Sequence, residues 1–61
     1  MQFDEHPGDV ASLVAELLVR DRRPAAAAQA WETAALLYGP ATPRGRRALQ
    51  SARTLAQALG R

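Results

Sequence analysis

Cysteine is absent from these 61 residues, which excludes a disulfide framework and a thiolate metal site. Lysine is absent as well, so all eight basic residues are arginine. Together with fourteen alanines, that usage fits GC-rich coding and points to a bacterial source. Aromatic side chains are limited to Phe3, Trp31 and Tyr38, and large aliphatic ones to eight leucines, three valines and Met1. The hydrophobic fraction of 48% is thus about half alanine. A chain of this length forms one domain at most, and such a core supplies only about 3–5 kcal/mol of net stability. The expectation is a marginal monomer or a homodimer. No apolar run approaches the ~18–20 residues of a membrane span. The acidic opening Met1-Gln2-Phe3-Asp4-Glu5 does not fit the basic start of a secretory leader. A cytoplasmic protein with no membrane partner is expected.

The net charge of +2 conceals a polarity along the chain. Residues 1–19 carry Asp4, Glu5, Asp9 and Glu16 and no base. The remainder carries eight arginines against Asp21 and Glu32, and no acid follows residue 40. Such a split attracts an anionic partner, or draws opposite ends of two copies together; a solvated arginine face explains it equally well.

Helical periodicity organises nearly everything that is present. Residues 1–8 read as a flexible arm, with His6-Pro7-Gly8 as breaker chemistry and Asp9 as the N-cap of a first helix. Val10, Leu13, Val14, Leu17 and Leu18 then recur at helical spacing. Ala11 and Ala15 widen that apolar arc to roughly 200°, so this helix is expected to touch more than one neighbour. Pro24 suits the first position of a second helix, and Gly39-Pro40 its end. Thr42-Pro43 begins a third helix, whose early Gly45 is expected to weaken its first turn. The predicted fold class is all-α, a three-helix antiparallel bundle over residues 9–61, with helices at about 9–22, 24–38 and 42–59. Its expected core is Leu13, Val14, Leu17, Trp31, Ala34, Tyr38, Leu49, Ala52 and Leu59.

No constellation for chemistry emerges. The single histidine, His6, stands in the arm beside Asp4, Glu5 and Asp9, at spacings that match no metal-ligand motif. Ser12 and Ser51 have no histidine on the folded body to serve as base. No glycine-rich phosphate loop is present. The chain is read as a non-enzyme with no cofactor and no metal.

Two resemblances bear on what it binds. The basic turn Arg22-Arg23-Pro24, followed by Ala28, Ala35 and Pro40, makes the stretch from about Val10 to Pro40 resemble one tetratricopeptide unit. Gly60-Arg61 is similar to the end of the next unit's first helix. The resemblance implies a helical hairpin plus a third helix, and recognition of a protein or peptide. It departs from the family at Arg23, where glycine is usual. About three such units are ordinarily needed for stable stacking. A unit and a half favours a homodimer, or a docking or adaptor module completed by a partner. Separately, Arg53-Thr54-Leu55-Ala56-Gln57-Ala58-Leu59-Gly60 resembles the first helix and turn of a helix-turn-helix, although a recognition helix is not among these 61 residues.

The sequence therefore predicts a small non-catalytic protein–protein interaction module, an adaptor, docking or regulatory protein that self-associates. Its partner is another protein or a second copy of itself. The alternative is a nucleic-acid-binding regulator using the arginine face of helix 3. Candidate partner-binding residues are Val19 and Leu36, which fall off the main apolar stripes, and Arg46, Gln50, Arg53 and Gln57, which share one face of the third helix.

Overall fold

The computed structural model describes residues 6–60 and contains three helices: α1 (Pro7–Arg20), α2 (Pro24–Tyr38) and α3 (Pro43–Leu59). The fold is the expected all-α three-helix bundle, with successive helices antiparallel. It is splayed into a layer. Helix α2 packs on α1 along one side and on α3 along the other, while α1 and α3 scarcely meet. The Cα atoms fill a slab of 45 × 26 × 11 Å.

Each helix begins with proline in its first turn, where no amide hydrogen bond is forfeited. The start of α1 differs from expectation. His6, not Asp9, is its N-cap, with Nδ1 accepting from the Gly8 amide at 2.9 Å. Pro7 and Gly8 are helical because a proline at the first position is pre-set for the helix and the His6 Nδ1 serves as the capping acceptor. The arm predicted over residues 1–8 thus loses its last three residues, and the rest of it lies outside the described residues. Helix α1 also stops at Arg20, two residues early, because Arg22 adopts a left-handed conformation at φ 58° that no helix continues.

The second turn follows the sequence rules closely. Gly39 takes φ 96°, a conformation that only glycine adopts without strain. Thr42 caps α3, accepting from the Gly45 amide at 3.0 Å and donating to the Gly39 carbonyl at 2.6 Å. Gly45 is buried, and a β-carbon there would overlap the Gly39 carbonyl. The glycine is a packing requirement, whatever it costs the first turn.

The core overturns part of the sequence reading. Its buried hydrophobic residues are all alanine: Ala15, Ala27, Ala28, Ala34, Ala35, Ala48 and Ala52. Ala34 and Ala52 were expected there. Trp31, Tyr38 and Leu49 are half-buried against the Ala34–Ala35–Ala48 cluster. Leu13, Val14, Leu17 and Leu59, predicted as core, are instead exposed. Helix α1 turns its small residues inward, with Gly8 and Ala15 buried and Ala11 packed on the cluster. It also meets essentially one neighbour, not several. Small side chains on both surfaces let the helix axes come close, and that approach leaves the bulky aliphatics of α1 on the far side. Each buried alanine removes only one methyl group from water, worth about 0.8 kcal/mol.

Replacing Gly45 by alanine measures the packing requirement. Intrinsic helix propensity favours alanine by about 1 kcal/mol, but a clash with backbone costs about 1–3 kcal/mol or more. Gly45→Ala is expected to lower the thermal midpoint; an increase would show that the α2–α3 turn yields.

Candidate interaction surfaces

One face of the slab is an open groove. Its floor is Trp31 and Tyr38, which stand two turns apart on α2. One wall is Ser12, Glu16 and Val19 of α1, and the other is Arg44, Arg47, Ser51 and Leu55 of α3. The groove exists because α1 and α3 splay apart over α2, leaving the larger α2 side chains between them. The α1 wall carries Glu16 and Arg20, one of each sign, whereas the charged residues of the α3 wall are all arginines.

Tyr38 closes one end of the groove. Its ring lies so near Gly8 that a β-carbon there would sit 2.7 Å from ring carbons. The hydroxyl donates to the Asp9 carboxylate and lies 3.5 Å from Ser12 Oγ. The His6 imidazole stacks on the same ring, centroids 4.9 Å apart. Arg44 stands 5.9 Å from its centroid, within cation–π range, and 3.8 Å from Asp9. Histidine, aspartate, tyrosine and arginine therefore meet where the start of α1, the end of α2 and the start of α3 converge. Each has a structural partner: a cap, a stack, a hydrogen bond or an ion pair.

A second surface lies on the outer side of α1. Val10, Leu13, Val14 and Leu17 follow the i, i+3, i+4, i+7 rule and form one stripe, each between 44% and 57% exposed. The stripe is nearly opposite Ala15, the residue buried against α2. Nothing in the fold covers it. The sequence reading placed three of these residues in the core and so missed them as a surface. The signal was a second set at the same spacing, Gly8, Ala11, Ser12 and Ala15, a small-residue stripe suited to close helix contact.

The predicted partner-binding residues fall in three places, with Gln50 bordering both the groove that holds Val19 and the outer face of α3. Arg46, Gln50, Arg53 and Gln57 are exposed and line one shallow depression on the outer face of α3, with Leu49 and Thr54. Val19 lies in the groove beside Trp31. Leu36, 73% exposed, lies on the opposite side of α2 from Trp31. Val19 and Leu36 therefore form no common margin. Ser12, one of the serines weighed for catalysis, donates to the Gly8 carbonyl at 2.9 Å. No family model matches the chain, and comparison with curated proteins and with solved structures finds no match either.

Tyr38 lends itself to dissection. Tyr38→Phe removes one hydrogen bond to a charged acceptor at a half-exposed site and is expected to cost about 1 kcal/mol. Tyr38→Ala also removes the ring packed on Gly8 and is expected to cost more than about 2 kcal/mol. Chemical denaturation followed by circular dichroism separates them, and equal losses would mean that the ring contributes nothing beyond its hydroxyl.

Proposed function

We propose that this chain is a small, non-catalytic protein–protein interaction module that self-associates, acting as an adaptor, docking element or small regulator. The observation that carries the reading is the inversion of α1, four of whose six large aliphatic side chains form an outer stripe while alanines fill the core. Covering the exposed half of each side chain is worth about 1 kcal/mol. Eight such side chains in a pair contribute about 8 kcal/mol against an association cost of about 4–15 kcal/mol. The self-association proposed is therefore weak, about millimolar at the lower end of that cost. The tetratricopeptide likeness supports the same reading, since Ala28 and Ala35, at the repeat's small-residue positions, are buried in the helical contacts. A cytoplasmic location is part of the proposal, consistent with the described helices, none of which is long and apolar enough to cross a membrane.

Light scattering and thermal unfolding over a concentration series test it. The mass is expected to rise toward that of a dimer, and the thermal midpoint to climb with concentration, as mass action requires. A monomer throughout, with a fixed midpoint, would sink the self-association reading.

A specific feature favours a second reading, a nucleic-acid-binding regulator. Arg44, Arg46, Arg47 and Arg53 are all exposed on α3, where no acidic side chain accompanies them. A protein neutralising several phosphates loses affinity steeply as salt rises. Titration of random duplex DNA at low and moderate salt is therefore decisive. Salt-sensitive binding, abolished by Arg46→Ala with Arg53→Ala, would support this reading, and no binding at low salt would remove it.

A further inference from the structure

We infer that the α1 stripe is a seam between two copies of this chain, in which α1 pairs with α1 of the second copy in antiparallel orientation about a two-fold axis between Leu13 and Val14. The inference rests on the self-association reading and specifies the surface and the geometry.

Three observations select this occupant and this orientation. Helix α1 is an edge of the slab, and its stripe points nearly opposite to α2, so a second α1 meets it without displacing any element. The stripe is self-complementary. Reversing it about its centre sets Val10 against Leu17 of the other copy and Leu13 against Val14, so each pair joins a valine to a leucine. The charges then decide direction. Asp9 and Arg20 lie on the same margin of the stripe, at opposite ends of the helix. A two-fold axis across antiparallel helices brings like margins together with their ends exchanged. Arg20 of one copy then falls within about 3 Å, along the axis, of the level of Asp9 of the other. Arg20 makes no ion pair among the described residues. Parallel pairing instead puts the Asp9–Arg20 margins of the two copies on opposite sides of the seam, so that no such charge pair forms, and it aligns the helix dipoles.

The absence of cysteine makes a cross-linking test clean. Antiparallel pairing keeps Leu13 close to its own counterpart, whereas Val10 lies about 10 Å along the axis from the other Val10. A disulfide needs Cα atoms within about 7 Å. Leu13→Cys is therefore expected to form covalent dimers under mild oxidation, Val10→Cys alone is not, and Val10→Cys mixed with Leu17→Cys is. Covalent dimers of Val10→Cys alone, with no cross-link between the Val10→Cys and Leu17→Cys chains in the mixture, would establish parallel pairing and overturn the proposal. As an independent measure, Leu13→Arg is expected to weaken association by at least about tenfold, while Leu36→Arg, on another face, leaves it unchanged. If the chain associates but Leu13→Arg and the cross-links have no effect, the seam is wrong and the self-association reading stands. If the unsubstituted chain stays monomeric, both fall.

Discussion

The seat of Tyr38 on Gly8 fixes the rotation of α1, and the rest of the structure depends on that rotation. An aromatic ring packs directly on a helix backbone only where a β-carbon is missing, and Gly8 supplies that opening. Once the ring is seated, Asp9 receives its hydroxyl and His6 stacks on its face. The residues one and two turns onward on the same side, Ser12 and Ala15, must then face α2. All are small, so the helices come close. Val10, Leu13, Val14 and Leu17 are carried to the outside by the same rotation.

Close approach has an energetic consequence. Alanine contacts allow backbone and Cβ atoms to pack densely, but each removes little apolar surface from water. The described chain buries no large side chain completely. Most of the hydrophobic surface that its leucines and valines bring is not spent within the monomer. It is left on the edge of α1, on the back of α2 at Leu36, and in the groove beside Trp31. A small domain with this distribution gains more from a neighbour than a domain with a leucine core does.

The surfaces are also electrostatically distinct. The outer side of α1 is apolar, with an acidic residue near one end and a basic residue at the other. The outer side of α3 is polar and basic, with Arg46 and Arg53 separated by glutamines. The groove between them joins a wall of mixed charge on α1 to a basic one on α3. A layer with such unlike edges meets different partners at each edge, and the apolar edge is the one that matches itself.

Number, order and approximate limits of the helices were legible in the sequence. Proline at each start, Gly39 in the left-handed region and Thr42 as cap are local rules that act over four or five residues, whatever the surroundings. The arginine and glutamine face of α3 was legible for the same reason, since a polar stripe on an amphipathic helix faces water. Local rules did not decide which way α1 faces. It carries two stripes at identical spacing, Gly8-Ala11-Ser12-Ala15 and Val10-Leu13-Val14-Leu17, and hydrophobicity alone prefers to bury the second. The tertiary structure buries the first, because α2 presents alanines together with a tyrosine that requires a glycine opposite it. A helix's own periodicity defines its faces, but the shape of the neighbouring helix chooses among them.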